Sequence, residues 1–176
     1  MDDEYGGLLG AFPYAVRRSD SRLFRAYAVL GGLLAAVLAV FFAFALVVSV
    51  ASTAALAGGT VTFVRSIFIV FGFLVVAPIL APVLLVARRH RREGSDPQYD
   101  AGLSVAGATY VVTLYLGAIA SMPATFEIDG RVTTRPEPSG VTAPVVEALY
   151  ALPAALSWTV PLAGAIAILL VHRWRR

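Results

Sequence analysis

Residues 66–92, SIFIVFGFLVVAPILAPVLLVARRHRR, decide the fold. Ser66 to Ala87 is apolar throughout and runs directly into Arg88-Arg89-His90-Arg91-Arg92. About 20 apolar residues in a helix cross the hydrocarbon core of a bilayer. Guanidinium groups enter hydrocarbon only at high cost, so the basic block ends the span. The stretch therefore predicts a membrane helix with a basic stop, and the basic stop orients the rest of the chain.

Composition agrees. Of 176 residues, 59% are hydrophobic and 14% charged. A water-soluble domain of this size lacks the polar surface to cover so much apolar material. There is no cysteine, which excludes disulfides, thiolate metal sites and a cysteine nucleophile. All 14 basic residues are arginine. A cleavable signal peptide is not expected, because the first apolar run is too long and four arginines precede it.

The predicted fold class is all-α: four transmembrane helices at about 26–51, 66–87, 101–122 and 145–171, with a small external β-hairpin. Residues 1–25 form a cytoplasmic and interfacial segment, 26–171 the membrane domain, and 172–176 a basic tail. Within the first segment, Gly6–Val16 is too short to span and is interrupted by Pro13; it is expected to lie on the membrane, with Phe12 and Tyr14 at headgroup level. Ser19 is the expected cap of the first long helix. Residues 88–100 are expected to form a charged turn, with Gly94 and Pro97 as breakers. In the long loop 123–144, Asp129-Gly130 lies between β-prone runs, a hairpin signal. Eleven arginines fall on the N-terminal flank, the 88–92 block and the C-terminus, against three in the two opposite loops. The positive-inside rule places both termini in the cytoplasm of a multi-pass protein of the cell membrane.

Small residues recur every four positions at Gly31, Ala35, Ala39 and Ala43, a ladder that lets another helix approach closely. Leu in place of Ala39 is expected to weaken the fold or the assembly. Thr113, Gly117 and Ser121 form a second such ladder. Pro78 and Pro82 interrupt the second helix, and Pro78 frees the carbonyl of Leu74.

The apolar cores of the four helices hold no Asp, Glu, His or Arg; Glu147, at the outer mouth of the fourth helix, is nearest. That argues against proton relays, voltage sensors and intramembrane hydrolysis, which need buried ionisable groups. Walker, dinucleotide, zincin and EF-hand motifs are absent. No enzyme activity, cofactor, metal site or nucleic-acid partner is expected. His90 and His172 sit at comparable heights on two helices, as haem ligands do. Membership of basic, headgroup-binding clusters is the favoured reading for both. Arg88, Arg89, His90, Arg91 and Arg92 are accordingly read as fixing topology and contacting anionic lipid headgroups. Tyr110, Thr113, Ser157, Trp158 and Thr159 are the polar groups expected near mid-depth. They are read as a cluster of helix–helix hydrogen bonds, with a carrier site as the alternative.

Two stretches, GGLLGAFPYAVRRSDSRLFRAYAVLGGLLA (6–35) and VVAPILAPVLLVARRHRR (75–92), resemble a family of small membrane proteins of unknown function from halophilic archaea. The resemblance implies a four-helix membrane protein and carries over no catalytic or binding residue. The expected role is a non-enzymatic structural, scaffold or accessory membrane subunit, with a membrane protein partner or a homo-oligomer. The alternative is a small-solute carrier or pore built on the proline-kinked midplane.

Overall fold

A computed structural model describes residues 7–53, 59–94, 96–128 and 130–175. The chain runs α1 (Gly7–Arg18), α2 (Arg22–Ser52), α3 (Gly59–Glu93) and α4 (Pro97–Ala120). It continues through β1 (Thr125–Ile128), β2 (Arg131–Thr134), α5 (Ala143–Ala151) and α6 (Thr159–Trp174), with short 3-10 turns at Gly140–Thr142 and Ala154–Leu156. Four helical stretches are long and apolar enough to cross a membrane: Arg22–Ser52, Thr62–Glu93, Pro97–Ala120 and Ala154–Trp174.

Several boundaries differ from the sequence reading, each for a local reason. Gly6–Val16 was expected to lie flat as an interfacial segment. There, α1 is a helix whose Ala11 and Ala15 are fully buried, and it packs chiefly on α3. Ser21, not Ser19, caps α2, accepting from the Phe24 amide at 3.2 Å. The arginine block is not a turn. Arginine is a good helix former, and cations are favourable in a last turn, so α3 continues to Glu93. Gly94, at φ +90, ends it in the left-handed region. Asp96 caps α4 through the amides of Gln98 and Tyr99, with Pro97 as the first helical residue.

The fourth span is broken rather than continuous over 145–171. Pro153 removes a donor and holds Leu152 extended at φ −70, ψ 129, so α5 stops at Ala151. A 3-10 turn bridges to α6. The hairpin is formed, with Thr125 opposite Thr134 and Ile128 opposite Arg131. Gly130 has φ +76, as a two-residue hairpin turn requires; its partner Asp129 lies outside the described residues. Arg135 fastens the base of the hairpin, donating to the Met122 carbonyl at 3.4 Å and stacking 3.9 Å from the Tyr150 ring on α5.

The core is at one end. Phe24, Ala28 and Ala35 of α2, Ile79, Val83 and Val86 of α3, Leu103 and Ala106 of α4 and Ile168 of α6 are all buried. These belong to the start of α2, the end of α3, the start of α4 and the end of α6, so the arginine-bearing ends of α2, α3 and α6 meet there with the start of α4. No described residue between 36 and 78 is buried. Phe41, Phe44 and Phe73 are 66%, 66% and 70% exposed, a surface that calls for an apolar solvent.

Candidate functional site

The packed end encloses polar side chains that the apolar pattern does not announce. Asp100, in the first turn of α4, has no exposure at all. Its Oδ2 accepts from Ser19 Oγ at 2.5 Å, and its Oδ1 lies 3.0 Å from His90 Nε2. A ring nitrogen facing a carboxylate carries the proton, so His90 donates here. One carboxylate thus joins the α1–α2 corner, the last turns of α3 and the first turn of α4.

The hub is braced on every side. Ser19 Oγ also accepts from the Ser21 amide at 3.2 Å, and the Ser19 carbonyl accepts from Arg25 Nε at 3.0 Å. Ser104 donates to the Asp100 carbonyl at 2.7 Å. Within this hub, His90 Nδ1 has no hydrogen-bond partner among the described residues.

A second layer lies outside the first. Arg89 contacts Asp96 and Glu93, each at 3.4 Å, and lies 4.2 Å from the centre of the Tyr99 ring. It also donates to the Arg175 carbonyl at the end of α6. Tyr99 Oη is 2.7 Å from His172 Nδ1. Toward the opposite end of the α2–α3 pair, Arg65 donates to the Thr53 carbonyl at 3.2 Å and to its hydroxyl at 2.9 Å.

Ser19, Asp100 and His90 are the residue types of a hydrolytic triad, but not in its order. In a triad the histidine sits between acid and nucleophile. Here the acid sits between serine and histidine, so no imidazole faces the hydroxyl. The arrangement ties three segments together through one buried carboxylate.

The expectation of ionisable-free cores therefore needs correcting. Asp100 and His90 stood just outside the spans read from sequence, yet their side chains are 0% and 1% exposed. His90 is turned inward and is not part of a headgroup-facing cluster. Arg88, Arg91 and Arg92 are exposed, and Arg89 is half-buried.

The mid-depth residues do not form one cluster. Tyr110 Oη reaches α3 rather than α6, lying 3.2 Å from the Leu74 carbonyl, the one freed by Pro78, and 3.1 Å from that of Val75. Thr113 donates to Tyr110 O within its own helix at 2.8 Å. Ser157 and Thr159 turn back onto the carbonyls of Ala154 and Leu156. Trp158 is 56% exposed at the start of α6. That start lies roughly 20 Å along the helix from His172 at 1.5 Å per residue, toward the far end of the candidate span Ala154–Trp174. Gly164 lies against Tyr110, whereas the Ser157 carbonyl lies near Gly117, about two turns along α4 from Tyr110.

Of the small-residue ladder, Gly31 and Ala35 are buried, and a Cβ on Gly31 would stand 3.6 Å from Ile79 of α3. Ala39 and Ala43 are exposed and line an open groove of about 230 Å³ beside Gly72 and Phe73. The close helix contact is instead α4 on α6. A Cβ on Gly117 would meet Pro161 Cδ at 2.7 Å, and one on Gly164 would meet the Tyr110 Cα at 3.0 Å.

The hub was missed because the α4 start was placed at Ala101. Starting α4 at the Asp96 cap puts Asp100, Leu103, Ser104, Gly107 and Tyr110 on one face at helical spacing. Likewise Ile79, Val83, Val86 and His90 form one stripe on α3.

No curated protein matches the chain, and no solved structure matches it. A family model described as a domain of unknown function, DUF8056, matches residues 1–176, and the chain belongs to that family.

Proposed function

We propose that the chain is a multi-pass protein of the cell membrane with four spans, both termini cytoplasmic and the β1–β2 hairpin outside. We propose further that it acts as a non-enzymatic structural or accessory subunit, alongside a membrane partner or further copies of itself. One observation carries the reading: the polar side chains in the core are spent on joining helices. Asp100 holds Ser19 and His90, Tyr110 holds the kinked turn of α3, and Tyr27 donates to the Ile79 carbonyl at 2.7 Å. Such groups cost several kcal/mol if left unpaired in hydrocarbon, so each is tied structurally. The orientation is supported by the eleven-to-three arginine split.

Reporter fusions at Gly130 and Arg176 test the orientation; opposite compartments are expected, and one shared compartment overturns it. Purification from native membranes in mild detergent tests the role. A stoichiometric membrane partner or a homo-oligomer is expected. A lone monomer with no partner removes the subunit reading.

The carrier alternative has one observation in its favour: the break between α5 and α6, flanked by Pro153 and Pro161, in a fold where interrupted helices are a transporter device. The hydroxyls at that break, Ser157 and Thr159, are already bonded to their own backbone, which favours the structural reading. Flux of a small neutral solute through reconstituted vesicles would reverse that preference.

A further inference from the structure

At the basic end, α3 and α6 enclose a small polar recess of about 40 Å³, lined by Leu85, Arg88, Arg89, Arg92, Glu93 and His172. The charges in its wall are not equally engaged. Arg89 is taken up by Asp96, Glu93, the Arg175 carbonyl and the Tyr99 ring. Glu93, the one acid in the wall, is thereby paired. Arg88 and Arg92 are one helical turn apart on the same face. Both are exposed, and among the described residues neither has an ion-pair or hydrogen-bonding partner. His172 forms the α6 wall, its ring fixed through Nδ1 by Tyr99.

We propose that this recess binds a single phosphate group, held by the guanidinium groups of Arg88 and Arg92 with His172 at its side. Three arginines against one carboxylate leave the wall with a net positive charge, and the planar guanidinium fork matches phosphate oxygens in pairs. The size fits. A water needs about 10–15 Å³ on the same measure, so the recess holds roughly three waters or the free oxygens of one phosphate in their place. The prior engagement of Arg89 makes the site specific, because it anchors the floor and leaves two unsatisfied cations above it.

The recess begins beside Leu85, where the apolar part of α3 gives way to arginine, which is headgroup depth for a spanning helix. An anionic phospholipid is therefore the favoured source of the phosphate, and a free phosphate ion is the other. The inference rests on the proposal that the helices span a membrane, but not on which compartment the basic end faces.

The test uses the full chain in mild detergent, titrated separately with phosphatidylglycerol, phosphatidylcholine and inorganic phosphate. Bound ligand is counted by native mass spectrometry, and melting is followed in parallel. One phosphatidylglycerol per chain is expected to survive at concentrations where phosphatidylcholine is stripped. Arg88→Gln/Arg92→Gln is expected to weaken its retention about tenfold or more, since each arginine near an anionic phosphate matters substantially. Arg17→Gln/Arg22→Gln removes the same charge from exposed positions on the same end and should leave retention unchanged. Arg92→Gln alone should give an intermediate loss. Saturable binding of inorganic phosphate that the recess variant abolishes also supports the site and assigns the free ion as its source. Equal weakening by both double variants means diffuse attraction and overturns the proposal, as does no weakening by either. A failure of the membrane reading shows separately, as a chain that stays monodisperse without detergent.

Discussion

The two ends of the α2–α3 pair are built from similar apolar residues and behave differently. At the arginine-rich end, Phe24, Ala28, Val83 and Val86 are closed off by α1, α4 and α6, around a carboxylate that ties three segments. Toward the other end, Phe41, Phe44, Phe71 and Phe73 are left open, and Phe42 lies over Gly72 across a shallow groove. Hydrophobicity does not distinguish the two. Among the most apolar stretches, only 6% of that in α2 is buried against 39% of that in α4, although α2 is the more hydrophobic. In lipid there is little gain from burying one apolar side chain against another. Close packing and polar ties decide where such a bundle holds together, and both are concentrated at the basic end.

The largest expected effect comes from the tie itself. Asp100→Ala removes the acceptor of both the Ser19 hydroxyl and the His90 ring N–H in a buried site. Removing one partner of a buried pair costs about 3–5 kcal/mol. The melting transition in detergent should drop steeply, and protease should gain access at the Arg17–Arg22 corner. Asp100→Asn keeps one acceptor and should fall between. An Asp100→Ala protein that melts like the parent would mean that the packed end owes its order to apolar contacts alone.

Glycine offers the next comparison. Gly164 of α6 lies against α4, where an added Cβ would overlap Thr113 Oγ1 and press on the Tyr110 backbone. Gly72 lies in the open half, where the same Cβ meets only the Phe42 side chain, at 3.3 Å. A backbone cannot yield as a side chain can. Gly164→Ala should therefore cost about 1–3 kcal/mol, and Gly72→Ala well under 1 kcal/mol. Thermal melts of the two variants side by side read this difference. Equal costs would show that the outer half is as tightly packed as the basic end.

How much of this was legible follows the same division. The four apolar stretches and the hairpin turn at Gly130 are local properties, and sequence reports them well. Gly117 was read as a packing position, and it meets Pro161 in the α4–α6 contact. Tyr110 was read as polar and inward, and the Leu74 carbonyl was read as freed by Pro78; their meeting is the non-local step that a sequence does not contain. Asp100 was hidden by a boundary set a few residues late, since a carboxylate next to a span reads as solvent-facing until the Asp96 cap is recognised. Ser157, Trp158 and Thr159 were misplaced for a different reason. Proline was treated as a kink in a continuous helix, whereas Pro153 ends one helix and a second begins beyond it.

The smallest expected effect is at Ala39, and it sharpens the comparison most finely. By sequence, Ala39 continues the Gly31–Ala35 ladder, and Ala39→Leu is expected to separate two backbones. In the fold the ladder crosses from the packed half into the open half between Ala35 and Ala39: Ala35 is 3% exposed, while Ala39 borders the open groove beside Val76. Leucine has room to lie along that groove, so the stability of one chain should change by no more than about 0.5 kcal/mol. Melting temperature and particle size in detergent, measured together, distinguish three states of this surface. Unchanged values for both mean that lipid fills the groove. An unchanged melt with a smaller particle means that another chain docks there, and that the ladder continues across an interface. A lowered melt without change of size means that α2 and α3 close on each other beyond Ala35, and the division between a packed and an open half would then have to be redrawn.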